Sequence, residues 1–399
     1  MKIAFVDHVS VSGGIIRYAT RLAKAIAQIE KDNEVTYFTH QKNYLGNKKV
    51  FDDCQPDVDV QVLEYTKSSR LSNKYFDIAI NKLLRSSWYE KLRQEIIKKT
   101  REFDVVYFTC AHASDYINVY PAAFATFHDM NWKYLFGSPL WSKPVVENLH
   151  VQLEKWFSTT TVIVSSPFVK SEILKFWPDI TNHIHVVFLP NPALKILDGS
   201  KTEILERLGL NKPYILFPGH LMPHKNHNNL FYAFWKLMND ADFKDKYILA
   251  LSGWSTDHFE YGLATSTGLQ MADKTNYNVR GLGYLSNEEV DVVIKNAAMG
   301  ISPSLHEAGS GPALDAWINE VPFILSDIQP HLDQLNFFNI DCVTFNPMDT
   351  NDIYEKMKYS LYNLPLLKEY SQKAASVLEN YTWETVARLY LDIFKSKSL

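Results

Sequence analysis

The stretch KIAFVDHVSVSGGIIRYATRLAKAIAQI, Lys2 to Ile29, decides the fold class. KIAFVD is a short apolar run of strand length. HVSVSGG breaks it at the pair Gly13-Gly14, and from Ile15 the apolar positions recur with helical spacing. EVTYFTH, Glu34 to His40, then reads as a second strand. Strand, glycine loop, helix, strand is the opening of a βαβ unit, which requires a parallel sheet with helices on its faces.

Outward from this start the pattern repeats. VQVLEY, FDVVYFT, AFATFHD, TTVIVSS and HIHVVFL are strand-like, and helical stretches separate most of them. PNPALKILDGSKTEILERLGL then has the prolines and polar residues of a linker followed by a short helix. After it the alternation restarts: YILFPG, YILALSG, NVRGLGY, AMGISPS, PFILSD and CVTFN as strands, NHNNLFYAFWKLM and SNEEVDVVIKNA as helices. Two α/β domains are expected, residues 1–195 and 205–382. The last helix, TWETVARLYLDIFKSK, has its 383–399 part assigned to the first domain. A chain of 399 residues is long enough for two cores.

The bulk composition excludes several classes. The hydrophobic share is 46% and the charged share 22%, as in globular proteins. Residues 1–200 carry 24 Lys and Arg against 21 acids, and residues 201–399 carry 17 against 24, far from a nucleic-acid binder's basicity. Three widely spaced cysteines form neither a disulfide framework nor a CxxC metal site, which fits a reducing cytoplasm. The N-terminal apolar run is too short for a signal peptide, and no run of 18 apolar residues occurs.

The chemistry concentrates in SLHEAGSGPALDAW, Ser304 to Trp317. A strand ends near Ser304, Gly309-Ser310-Gly311 makes a turn, and Pro312 suits the first position of a helix, where its missing N–H is no loss. A glycine turn entering a helix offers backbone amides and the positive end of the helix dipole, an anion site that needs no basic side chain. Residues 296–355 contain no Lys or Arg. Glu307 stands before the turn and Asp315 one turn into the helix, so two hydroxyl-accepting carboxylates flank a phosphate-binding turn. Sugar, diphosphate and ribose, the parts of a nucleotide sugar, have that arrangement. The bland alternative is an ordinary helix start with a favourable acid in its first turn.

This stretch resembles the acid–seven–acid signature of retaining glycosyltransferases of the GT-B fold, family 4 of the glycosyltransferases (glycosyl transferases group 1). The match runs through Glu307, Ala308, Gly309, Ser310, Gly311, Pro312 and Asp315, then EVPFILSD to Asp327, with the second acid shortened from Glu to Asp. ILFPGHLMPHKNHNNLFYAF resembles the motif opening the family's second domain. Lys225 matches its phosphate lysine, and His220 stands where many members have arginine. NVRGLGYLSNEEV resembles the element that cups the base, and TFHDM carries His128, matching a histidine set against the donor sugar. Gly13-Gly14 matches the glycine turn facing the diphosphate, and Trp383 opens a helix that crosses back to the first domain.

The resemblance implies two Rossmann-like domains facing each other across a cleft. It implies metal-independent, cofactor-free transfer of a hexose, with retained anomeric configuration, from a nucleotide-diphosphate sugar. GDP-mannose is the first choice of donor, with UDP-sugars open. The implied acceptor is a saccharide or a lipid-linked saccharide in surface polysaccharide synthesis, at the inner face of the membrane. His128, Lys225 and Glu307 are the implied catalytic set, with Gly13, Gly14, His220, Ala308, Gly309, Ser310, Gly311 and Asp315 around the donor. A protonated His220 would support the phosphate, giving activity that falls between about pH 6.5 and 8; a neutral donor or a structural residue is the alternative. Trp132 and Tyr134 are candidates for the acceptor. Residues 67–101 hold ten Lys and Arg against three acids among apolar residues, a segment suited to an anionic membrane or to an ordinary solvated helix face. The alternative from another class is a non-catalytic sugar-nucleotide-binding or partner protein of the same fold. Asp57-Val-Asp59 and Asp240-Ala-Asp242 read as solvated acids and not as a metal site.

Overall fold

The computed structural model describes residues 1–7, 14–30, 32–63, 92–111, 123–130, 133, 143–190, 202–259 and 278–396. The first sheet holds β1 (Lys2–Val6), β2 (Glu34–His40), β3 (Asp59–Leu63), β4 (Val105–Phe108), β5 (Ala123–Thr126), β6 (Thr161–Val164) and β7 (Ile184–Val186). Its order is β3-β2-β1-β4-β5-β6-β7. Every pairing is parallel; Ile3 lies beside Val35 on one side and Val105 on the other. The strands are buried on both faces, so they read as continuous apolar runs.

The second sheet holds β8 (Tyr214–Pro218), β9 (Ile248–Ser252), β10 (Val279–Gly281), β11 (Met299–Ser302), β12 (Phe323–Ser326) and β13 (Thr344–Phe345). Its order is β10-β9-β8-β11-β12-β13, again all parallel. In each sheet the chain order reverses beside the first strand, between β1 and β4 and between β8 and β11. The crevice outside the carboxyl ends of the strands at such a point is where open α/β sheets take ligands.

Each sheet is covered on both faces. The helix Gly14–Ile29 packs on one face of the first sheet, burying Ile16, Ala19, Leu22, Ala23 and Ile26 beside Ile3, Phe5, Tyr37 and Tyr107. The helix Trp383–Lys395 lies against it and adds Val386, Ala387, Tyr390, Leu391 and Phe394 to the same core. The expected return of the C-terminal helix to the first domain is therefore what the chain does. Tyr390 is hydrogen-bonded to Tyr18, whose hydroxyl also meets that of Tyr107 at 2.7 Å. The expected linker around residues 190–205 falls mostly outside the described residues.

The domains touch at several points. The Phe168 amide, at the start of the helix Pro167–Phe176, donates to Asp333 Oδ2 of the second domain at 2.8 Å. Phe188, just past β7, stacks on Phe337 with ring centroids 4.1 Å apart, and Tyr381 Oη donates to the Phe188 carbonyl at 2.8 Å. The two Asp-x-Asp sites are occupied by ordinary partners. Asp57 pairs with Lys24 and Gln28, Asp240 accepts from Lys358 and Tyr354, and Asp242 accepts from Tyr362.

Candidate active site

Two turns from distant parts of the sequence are clamped together at the β8/β11 switch point. The first, Pro223–Lys225, ends at Asn226 in the left-handed region, a conformation asparagine tolerates. Asn226 then donates its amide hydrogens to the carbonyls of Pro303, at 3.0 Å, and Pro347, at 2.7 Å. The Leu305 amide in turn donates to the His224 carbonyl at 2.7 Å. This lacing brings Lys225 to Glu307, and the two form an ion pair with side chains only 17% and 15% exposed. Ser304 Oγ donates to the same Glu307 oxygen at 2.7 Å, and Ser326 Oγ holds the Ser304 carbonyl at 2.7 Å. Burial pushes the Glu307 carboxyl up, but the Lys225 charge and hydrogen bond outweigh it, and the carboxyl lies below its ordinary range.

The helix Gly311–Ile318 starts as expected, with Pro312 in its first turn and Ser310 as N-cap, its Oγ accepting from the Ala313 amide at 3.3 Å. One expectation is overturned here. The Ser310 amide is not available to a phosphate, because Gln334 Oε1 accepts it at 2.7 Å while Gln334 Nε2 donates back to the Ser310 carbonyl at 3.2 Å. Gly309 sits at φ 155°, and a Cβ there would stand 2.9 Å from that same Gln334 oxygen. The glycine thus lets the turn close on Gln334.

His220 also departs from the expectation of a charge. Its Nδ1 accepts from the Trp254 amide at 3.0 Å, so that nitrogen carries no proton. Burial and the nearby Lys225 charge hold the ring below its ordinary pKa. It is a neutral ring at pH 7 that fixes the loop after β9. In the same segment His227 is buried against Phe217 and driven down to about 3 by burial, which makes it a core residue.

From the first domain, His128 stands just past β5 with its edge toward the Tyr18 ring. Its Nε2 lies 3.0 Å from the Thr109 carbonyl, which can only accept, so Nε2 carries the proton and Nδ1 is an acceptor. Burial lowers its pKa, and the ring is neutral. Gly14 opens the helix Gly14–Ile29, and a Cβ there would meet open space. Burial lowers the pKa of His306, next to Glu307, and the charge of Asp129, next to His128, opposes this from across the cleft. Ser165 Oγ reaches the Ala308 carbonyl at 3.5 Å, and Ala308 packs on the first-domain core. Asp315 faces Arg21, whose Nη1 is buried without a hydrogen-bond partner; burial lowers the guanidinium's pKa and the Asp315 charge opposes this.

Gly13, Trp132 and Tyr134 lie outside the described residues, as do residues 67–91 of the basic segment. Residues 92–100 are helical, and their apolar side, with Leu92 and Ile96, belongs to the first-domain core and faces no lipid. Among the described residues no helix is long and apolar enough to cross a membrane. Arg21, Asp129, His306 and Gln334 escape a sequence reading, because nothing in their local spacing marks them. Trp254 and Tyr284, exposed beyond β9 and β10, carried a visible signal as aromatics next to glycine turns.

Residues 200–377 match the family of glycosyl transferases group 1. No protein of curated function matches the sequence. Among solved structures, Anabaena HepE in complex with UDP and glucose superposes with a TM-score of 0.70 at 14% identity, covering 99% of this chain and 100% of that one. Sucrose-phosphate synthase from Thermosynechococcus elongatus gives 0.68 at 16% identity, with 99% of each chain covered. WaaG, a glycosyltransferase involved in lipopolysaccharide biosynthesis, gives 0.66 at 13%, also with 99% of each covered. Residues 200–377 are thus similar to a group 1 glycosyltransferase domain, and the chain as a whole has the GT-B fold.

Proposed function

We propose that this protein is a retaining glycosyltransferase that moves a hexose from a nucleotide-diphosphate sugar to an acceptor hydroxyl without a metal ion. The observation that carries the reading is the Lys225–Glu307 pair, one cation and one carboxylate held at the switch point of the second sheet. Lys225 supplies a point charge to the departing diphosphate. Glu307 accepts hydrogen bonds from donor-sugar hydroxyls, and the neutral His128 offers Nδ1 to another hydroxyl. In the transfer the acceptor oxygen bonds to the anomeric carbon as the bond to the phosphate oxygen breaks on the same face. The acceptor's proton leaves with the phosphate, so no protein base is needed. Fixed donors in a water-poor cleft stabilise the charge that develops on the leaving group.

UDP-glucose is the donor to test first, since HepE is seen with UDP and glucose, and GDP-mannose comes next. The exposed rings of Trp254 and Tyr284, just beyond β9 and β10, are the candidates to stack on the base. A saccharide or lipid-linked saccharide in surface polysaccharide synthesis is the proposed acceptor. The test is a thermal-shift panel of UDP-, GDP- and ADP-sugars on the wild type and Glu307→Gln, followed by nucleotide release with candidate acceptors. A bound donor raises the melting temperature by mass action. Stabilisation by one donor, with release that Glu307→Gln abolishes, supports the reading. Binding without release under any acceptor favours the non-catalytic alternative, and no binding by any sugar nucleotide overturns the site.

A further inference from the structure

Asp7 directly follows β1, and its carboxylate is fully buried. Its Oδ1 accepts from Tyr37 Oη at 2.9 Å and Thr109 Oγ1 at 2.6 Å, and its Oδ2 from Thr39 Oγ1 at 3.2 Å. The Asn43 side chain, on the helix Gln41–Gly46, also hydrogen-bonds it. These donors come from β2, from the end of β4 and from a helix, so three elements converge on one acid. A carboxylate in such a place is expensive unless fully hydrogen-bonded. The four donors offset that cost, and one of them, Thr109, gives the acid a further role.

That role lies one residue further along the network. Thr109 is held at three atoms. Its amide donates to the Val6 carbonyl at 3.3 Å, its hydroxyl donates to Asp7, and its carbonyl accepts from His128 Nε2. We propose that Asp7 is a positioning residue, which through Thr109 fixes the orientation of His128 and which of its ring nitrogens carries the proton. The consequence for the reaction rests on His128 serving the donor sugar, as proposed above. With Thr109 anchored, His128 presents Nδ1 as a hydroxyl acceptor. With Thr109 released, the ring can turn or take its proton on Nδ1, and the acceptor is lost.

Asp7 also titrates in a useful range, because burial outweighs its hydrogen bonds and raises the carboxyl to about 6. The titratable groups that face it are the Tyr37 phenol and the Cys110 thiol; burial pushes both well up, so neither is charged near pH 7. Thr39, Asn43 and Thr109 also hydrogen-bond it, and none carries a charge. Among the described residues no cation faces Asp7. Once protonated, it becomes a donor in a shell made of donors, and the Thr109 anchor weakens. Activity should therefore have an acid limb near pH 6 that belongs to Asp7.

The test uses the full chain with 15N-labelled histidine, in the wild type, Asp7→Asn and Thr109→Val. Ring-nitrogen shifts of His128 report the tautomer directly. The wild type at pH 7.5 is expected to show the proton on Nε2, and both variants a mixed or reversed signal. Thr109→Val keeps the backbone carbonyl and decides the matter if Asp7→Asn fails to fold. In transfer assays kcat should fall about tenfold in either variant with KM for the donor nearly unchanged, and Asp7→Asn should lose the limb near pH 6. An unchanged His128 tautomer in folded variants overturns the proposal whatever the activity. If the wild type binds no sugar nucleotide, the donor-site reading fails and the tautomer result still decides the role of Asp7.

Discussion

Replacing Lys225 by alanine and, separately, Glu307 by glutamine should move affinity for a free nucleoside diphosphate in opposite directions. Lys225 is bound to Glu307, and Ser304 donates to the same carboxylate oxygen. A charge-assisted hydrogen bond from lysine to phosphate contributes about 1.5–3 kcal/mol. Its loss in Lys225→Ala should weaken UDP binding by roughly 10- to 150-fold. Glu307→Gln frees the lysine from a competitor. With both side chains under a fifth exposed, the competing pair is worth on the order of 0.5–1 kcal/mol net. UDP should then bind roughly two- to fivefold more tightly to Glu307→Gln, while sugar transfer is lost. Isothermal titration calorimetry with UDP, and with GDP in parallel, reads both effects. If Lys225→Ala leaves nucleotide affinity unchanged, the lysine is not at the phosphate. If both variants lose affinity alike, the pair is a structural brace and the division of roles is wrong.

Other outcomes follow from the same geometry. Since His220 accepts the Trp254 amide and is neutral, His220→Arg should leave the shape of the activity profile between about pH 6.5 and 8 unchanged; a limb present only in the wild type would refute this. Asp7 in the folded protein keeps its proton up to about pH 6, whereas the unfolded chain releases it near 3.8, so folding stability falls through that window as pH rises. The melting temperature of Asp7→Asn relative to the wild type should therefore climb from pH 4 to pH 7, and a constant gap would contradict it. Glu307 has the opposite sign. Its lowered carboxyl stabilises above 4.5, and the advantage over Glu307→Gln should shrink as pH drops below that value. Gly281→Ala places a Cβ 1.9 Å from the Thr256 carbonyl oxygen, and overpacking of this kind costs about 1–3 kcal/mol. Calorimetry should show a clearly lowered melting temperature, and wild-type behaviour would mean the β10 edge moves freely.

Periodic features of the fold were legible because they need only local sequence. EVTYFTH is the whole of β2, and the glycine at position 14 starts the helix that the spacing from Ile15 announces. The helix start at Gly311 and Pro312 was equally readable, since a glycine turn followed by proline is a local signal. The use of the Ser310 amide was not, because Gln334 reaches it from a helix 24 positions away. His220 looked like a replacement for a fixed charge, and only the Trp254 amide, brought in by the next strand, shows that its nitrogen is an acceptor. Asp7 stood in plain view at the end of KIAFVD. Its meaning depends on Tyr37, Thr39 and Thr109 arriving from two other strands. Local pattern places the elements, and long-range hydrogen bonds decide which polar atoms are left for a ligand.

The helix Trp383–Lys395 has a consequence for how the chain is made. Protein domains commonly fold in the order in which they leave the ribosome. Here the second sheet runs from residue 214 to residue 345 and can close with helices that end by residue 378. The first sheet emerges earlier but waits for Val386, Tyr390 and Phe394 to cover Tyr107 and Phe124. The domain synthesised first is thus the one finished last, and a nascent chain carries an open apolar face on that domain until the helix Trp383–Lys395 has emerged.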